Sequence, residues 1–174
     1  MEAILWVAFA AAVAVLLIYA AVLPFGAPYL PTLRKQSSEA LDLLALKPGQ
    51  VFVDLGCGDG RLLSLAAERG LKAVGYELNP FLVLYAWLRT RRYGRQVKVR
   101  LGNFWQADLS DADGVFVFLI GHYMAKLDKM IVRYSKGRQI KLVSHAFKIP
   151  GKKAASQKGV LMLYVYNGTK SKAP

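Results

Sequence analysis

The 174-residue sequence has little cysteine, little histidine and few acidic residues. A single cysteine, Cys57, excludes an intramolecular disulfide framework and a multi-cysteine zinc site. Two histidines that lie far from it in the sequence argue against a metal enzyme, so we expect no metal cofactor. Eleven Asp and Glu face 24 Lys and Arg, which leaves a net charge of +13. Such a balance is typical of proteins that bind nucleic acid or an anionic membrane surface.

Basic residues are also absent from one end of the chain. The first 33 residues contain no Lys or Arg and one acid, Glu2, whereas the rest carries 24 bases and 10 acids. From Arg89 onward, 18 bases stand against four acids. The charge therefore belongs to a basic body that follows a nearly neutral head.

The head has the length and composition of a membrane span. Ala3–Leu23 is uncharged and, as a helix, would reach about 31 Å, enough to cross a hydrocarbon core of about 30 Å. Trp6 and Tyr19 lie near its ends, where amphipathic rings favour the interface. We predict a transmembrane helix; a cleaved signal peptide and a buried core helix are the alternatives. Because the first bases, Arg34 and Lys35, follow this segment, the positive-inside rule places the N-terminus outside and the body in the cytoplasm.

The body alternates short apolar runs with amphipathic segments. This alternation predicts an α/β fold, with a parallel sheet covered by helices on both faces. The expected strands are 51–55, 72–76, 97–101, 114–120, 140–147 and 160–166. The expected helices are 37–44 with a serine cap, 61–69, 80–92 and 124–134. Residues 81–88 have no polar break, so helix 80–92 is expected to be buried on the sheet, with contact with the membrane as the alternative.

A glycine loop follows the first of these strands. Asp54 is followed by Gly56, Gly58 and Gly60 at a spacing of two, and a helix then begins. The dinucleotide fingerprint fails, because Arg61 stands where its third glycine is needed, and no Gly-Lys-Ser/Thr completes a phosphate loop. Glycines here let a ligand approach the backbone closely. The pattern resembles motif I of the class I S-adenosylmethionine (SAM) methyltransferases.

The ends of the next two strands add polar and aromatic candidates. A carboxylate at Glu77 can accept hydrogen bonds from both hydroxyls of a ribose and would repel a phosphate. In this fold the turn after the third strand closes over the adenine, which Asn103 can hydrogen-bond and Phe104 can stack against. Cys57 is interpreted as a small loop residue rather than a nucleophile, since no base adjoins it. The predicted cofactor-binding residues are Asp54, Gly56, Cys57, Gly58, Gly60, Glu77, Leu78, Asn103 and Phe104.

Three stretches together resemble one family, the membrane-anchored protein-lysine methyltransferases related to those of the adenine nucleotide translocase and the ATP synthase c subunit. They are 28–36, 54–61 and 73–80, within a likeness that extends from about Ala27 to Met130. The resemblance implies SAM at Asp54, Gly56, Gly58 and Glu77. Asn103 departs from the family, which often has Asp at this place. The segments are then an anchor at 1–26, a preceding segment and helix at 27–50, the methyltransferase domain at 51–168 and a flexible tail at 169–174.

The resemblance predicts N-methylation of a lysine on a membrane protein, close to the cytoplasmic interface. Residues predicted to line the substrate pocket are Tyr29, Thr32, His122 and Tyr123, with Asn103 and Trp105. His145 is interpreted as structural. The basic runs 89–95 and 126–153 would contact anionic lipid headgroups. The open alternatives are a nucleic-acid (RNA) methyltransferase, a small-molecule or lipid methyltransferase, and a binding module without catalysis.

Overall fold

The structure, a computed structural model, describes residues 1–22 and 34–168, with side chains described for 1–14 and 35–168. Its helices are α1 (Glu2–Val22), α2 (Arg34–Leu44), α3 (Arg61–Glu68), α4 (Pro80–Thr90) and α5 (Met124–Tyr134). Its strands are β1 (Val51–Leu55), β2 (Lys72–Glu77), β3 (Val97–Leu101), β4 (Gly114–Val117), β5 (Gln139–His145), β6 (Ser156–Lys158) and β7 (Leu161–Asn167). Short 3-10 helices occupy Arg91–Gln96, Phe104–Gln106 and Gly121–Tyr123.

The seven strands form one sheet in the order β3-β2-β1-β4-β5-β7-β6. The first five are parallel, whereas β7 runs antiparallel to both β5 and β6. The predicted α/β fold is confirmed, but the expectation of a wholly parallel sheet is wrong at this edge. No helix lies between β5 and β7 to carry the chain back for a parallel pairing. The polar strand β6 was missed because it lacks any apolar alternation.

Helices cover both faces of the sheet and divide the core into two layers. On one face, α2 and α3 bury Leu44 and Leu63 against Phe52 and Phe116. On the other face, α5 packs with the central strands β1 and β4. The central strands are buried on both faces, which explains why their sequences are continuously apolar.

Two helix predictions are wrong in detail. The structure begins α2 at Arg34, so Ser37 lies inside the helix, fully buried, and does not cap it. In α4, only Ala86 and Thr90 are buried, although the whole helix was expected to be. The reason is its position over β3, the edge strand of the sheet, where no other described element lies against the outer side of α4.

The N-terminal segment is helical, as expected, but a membrane span is not confirmed. Within the part of the chain whose side chains are described, no helix is long and apolar enough to cross a membrane. The described side chains of α1 stop at Ala14, short of the roughly 20 residues that a span needs. The side chains of residues 1–14 are all exposed. Residues 23–33 and 169–174 lie outside the described part, and so do the predicted pocket residues Tyr29 and Thr32.

Candidate functional site

The glycine loop joins the carboxyl end of β1 to the first turn of α3. Gly56, Gly58 and Gly60 have φ of 95°, 52° and 74°, a region that L side chains rarely adopt. The backbone N–H groups of Gly56 and Cys57 both donate to the carbonyl oxygen of Tyr76, each at 2.9 Å. The loop is therefore fixed to the end of β2 by its own backbone.

Two of these glycines have different surroundings. A Cβ at Gly60 would lie 2.8 Å from the Cβ of Ala86, so this glycine lets α4 pack against the loop. A Cβ at Gly56 would meet nothing within 4 Å, and the residue is exposed. Gly56 thus leaves backbone open to a ligand, in the loop that leads to the N-terminus of α3.

Glu77, at the end of β2, is held in place by backbone donors. Its Oε2 accepts from the N–H of Gly58 at 3.0 Å, and its Oε1 accepts from the N–H of Asn79 at 2.9 Å. Asn79 in turn caps α4 by accepting from Phe81 and Leu82. A carboxylate has further lone pairs after these two bonds, so Glu77 is oriented and still able to accept from a diol.

Three carboxyl groups surround the loop, which makes its electrostatics unusual. Burial, with repulsion from Glu77 and Asp59, raises the pKa of Asp54 to about 8. Burial also opposes ionisation of Asp59, but hydrogen bonds and charge from Arg61, with the charge of Arg89, hold its pKa below the usual value. A cationic ligand beside Asp54 would be attracted to this acidic site and would favour its ionised form.

Cys57 is a buried packing residue of the loop, and contact of Cys57 or Leu78 with a cofactor stays a prediction. Cys57 is 5% exposed, and a Cβ at Gly75 would come within 2.6 Å of its Sγ. Burial raises the pKa of the Cys57 thiol well above its usual range, in accord with its interpretation as an inert residue. Leu78 is half-buried between Glu77 and Asn79.

The turn after β3 lies beside Glu77, since the N–H of Gly102 donates to the Glu77 carbonyl at 2.9 Å. Asn103 uses its Oδ1 to accept from the N–H of Trp105 at 3.0 Å, which leaves its amide N–H groups for a ligand. Phe104 is 6% exposed and packs in the core. Contact of Asn103 and Phe104 with an adenine stays a prediction.

Aromatic side chains after β3 and β4 form a continuous wall, here called the aromatic wall, made of Trp105, His122 and Tyr123. The ring centroids of Trp105 and Tyr123 are 5.8 Å apart, and those of His122 and Tyr123 are 3.9 Å apart. The Nζ of Lys126 lies 4.2 Å from the centroid of the Trp105 ring. This edge of the sheet therefore already holds one lysine ammonium group by a cation–π contact.

Sequence reasoning missed two interactions. Arg89 of α4 forms an ion pair with Asp59 of the loop, at 3.0 Å, across thirty residues of sequence. No local pattern signals that pair or the contact of Lys126 with Trp105.

His145, at the end of β5, is almost fully buried, and its Nε2 lies 3.3 Å from Gln36 Oε1. Burial lowers the pKa of His145, which favours a neutral, structural imidazole.

The strand order, the open glycine loop and the anchored Glu77 define a class I SAM-dependent methyltransferase, and the acidic surroundings of Asp54 suit the positive charges of that cofactor. The model of the ANTKMT methyltransferase domain family matches residues 54–156, more than half of the sequence. The chain belongs to this family.

Relatives and solved structures agree with that assignment. The human lysine N-methyltransferase of the ATP synthase c subunit is 36% identical over 108 residues, 61% of this chain and 46% of the relative. Mouse adenine nucleotide translocase lysine N-methyltransferase is 38% identical over 127 residues, 71% and 54% of the two chains. An RNA methyltransferase from Salinibacter ruber, solved with S-adenosyl-L-homocysteine, superposes with a TM-score of 0.69 at 25% identity, covering 83% of this chain and 97% of its own. The chain spans about half the length of these two curated relatives.

Proposed function

We propose that this chain transfers a methyl group from SAM to a lysine side chain of a membrane protein. One observation carries the choice of lysine: the Trp105 face already holds the ammonium group of Lys126, at 4.2 Å from the ring centroid. A substrate lysine that displaces Lys126 would meet the same aromatic surface at the carboxyl edge of the sheet, where ligands of such folds bind. The names of both lysine-methylating relatives support this choice.

Within this proposal, SAM supplies an electrophilic methyl group when bound, and the chain positions the two reactants. A lysine must lose its proton before it can attack, which costs about 4.6 kcal/mol at pH 7 for a free lysine. Trp105 and Tyr123 would exclude water from the amine, and the positive charge of bound SAM would disfavour an ammonium beside it. Both effects favour the neutral, nucleophilic amine.

Two substitutions of Trp105 test this role. Trp105→Ala should raise KM for a lysine-bearing acceptor about tenfold, the effect of losing about 1.4 kcal/mol of contact. Trp105→Phe, which keeps a ring, should recover most of the affinity, and SAM binding measured by calorimetry should stay unchanged in both. Equal KM values for the two variants and the unsubstituted protein would exclude Trp105 from the acceptor site.

We also propose that α1 anchors the chain in the membrane, with the N-terminus outside and the body in the cytoplasm. Its large apolar side chains Ile4, Leu5, Trp6, Val7 and Phe9 are 62–73% exposed. Exposed apolar surface of this extent on a helix without Lys or Arg favours lipid as its surroundings. Protease applied to sealed, right-side-out vesicles should leave the body intact, and digestion of the body there would contradict this orientation.

A second candidate is an RNA methyltransferase, which one groove favours. Only a short 3-10 turn follows β3, so the β2–β3 end of one sheet face has no helix over it among the described residues, and a groove of about 900 Å³ lies there. Its lining includes five basic side chains, Lys72, Arg95, Lys98, Arg100 and Arg138, alongside Asp108 and Asp111. This charge suits a phosphate backbone, but the groove lies on the sheet face rather than at the glycine loop. Methyl label found in RNA, in lipid or in a small molecule, with none in protein, would replace the lysine proposal by one of these alternatives.

A further inference from the structure

Within residues 35–168, α4 carries more of the large exposed apolar side chains than any other element. Five large apolar side chains there are 45–55% exposed: Phe81, Leu84, Tyr85, Trp87 and Leu88. At 3.6 residues per turn, these positions share one side of the helix, opposite the buried Ala86 and Thr90. Scattered single apolar residues are common on protein surfaces, but five on one short helix indicate a binding surface.

The charge around this face has one sign. Residues 80–96 contain four arginines and no Asp or Glu. Arg89 is paired with Asp59, and Arg92 with Glu68 at 3.0 Å. Arg91 and Arg95 are exposed in the 3-10 helix that directly follows α4. The apolar face therefore ends in basic side chains that are directed to solvent.

We infer that the α4 face docks on the surface of an anionic membrane. Trp and Tyr with aliphatic neighbours are the side chains that enter the headgroup boundary, and adjacent arginines attract anionic lipid. The exposed side chains lie on one short helix rather than between two elements, which suits a planar lipid surface. The described side chains of α1 are exposed, so they do not cover this face.

Docking through α4 would place the cofactor loop at the membrane. α4 begins three residues after Glu77, its Ala86 packs on Gly60, and its Arg89 pairs with Asp59 of the loop. The inference extends the proposed membrane location and names the surface that carries it. It does not depend on which acceptor is methylated.

A fluorescent label tests this surface in the full chain. Leu84→Cys is coupled to an environment-sensitive dye, and Val132→Cys, 45% exposed on α5 across the sheet, is the matched control. Cys57 should stay unlabelled, because it is buried and its thiol pKa is raised. The probes are phosphatidylcholine vesicles with and without phosphatidylglycerol. Dye at 84 should shift to shorter wavelength on the anionic vesicles, whereas dye at 132 should not.

The arginines supply the second measurement. In the Leu84→Cys background, Arg91→Gln and Arg95→Gln should each raise the lipid concentration for half-maximal shift about fivefold. A shift at both labelled positions, or at neither, would overturn the inference. A dye at 84 that is already blue-shifted without lipid would show a protein segment on this face and would also overturn it. Insertion by α1 alone gives no shift at 84, and methyl transfer is measured separately, so failure here is distinct from failure of the proposed function.

Discussion

Replacement of the buried Asp54 tests the electrostatics of the loop. The pKa of Asp54 is about 8 in the folded chain, against a usual value of 3.8. The native state therefore binds more protons than the unfolded state between these values, and stability falls as pH rises through that window. Asp54→Asn cannot ionise and does not lose stability in this way. The free energy of unfolding of the variant minus that of the unsubstituted protein should therefore increase by about 1.4 kcal/mol for each pH unit in this window.

Urea unfolding of both proteins at several pH values measures this difference. Between pH 5 and pH 7 it should grow by about 3 kcal/mol in favour of Asp54→Asn and level off above pH 8. Asp111→Asn, which removes an exposed carboxylate, supplies the baseline. Parallel stability curves for Asp54→Asn and the unsubstituted protein would refute the account of the buried carboxyl.

The same carboxyl links cofactor binding to pH. The cationic SAM should favour the ionised form of Asp54, so binding at pH 7 should release up to one proton, and affinity should rise toward pH 8. Calorimetry in buffers of different ionisation enthalpy counts that proton. Asp54→Asn should bind SAM more weakly and release no proton; proton release equal to that of the unsubstituted protein would assign it to another group.

Three further predictions concern the contacts of the loop. Glu77→Gln should weaken SAM binding by at least tenfold, because an amide oxygen replaces two carboxylate acceptors; calorimetry measures it, and unchanged affinity would remove Glu77 from the site. Gly60→Ala should lower the free energy of unfolding, measured with urea, by about 2 kcal/mol more than Gly49→Ala. Both glycines have a positive φ, but only a Cβ at Gly60 would clash with α4, so equal losses would contradict this reasoning. Arg89→Met should destabilise the fold by about 1 kcal/mol, because it removes one of the two arginines that pair with Asp59. The loss should shrink as pH falls below 3.8 toward the lowered pKa of Asp59, and a loss that does not change with pH would refute this.

Local patterns made much of the site predictable. Strand β1, the glycine loop and α3 are contiguous, and Glu77 ends the next strand, so their meeting follows from parallel pairing of β1 with β2. The ion pair between Asp59 and Arg89 was unpredictable because it depends on how α4 lies on the loop. Burial of α4 was favoured over its exposure because an edge strand beneath a helix leaves no mark in the helix's own sequence.

Analysis of labelled membranes tests lysine methylation most directly. Membranes are incubated with this protein and tritiated SAM, and the protein fraction is hydrolysed to amino acids. Tritium should be recovered as N-methylated lysine, and Glu77→Gln should reduce it at limiting SAM. Tritium confined to lipid or RNA, with none in methyl-lysine, would contradict the proposal that the chain methylates a protein lysine.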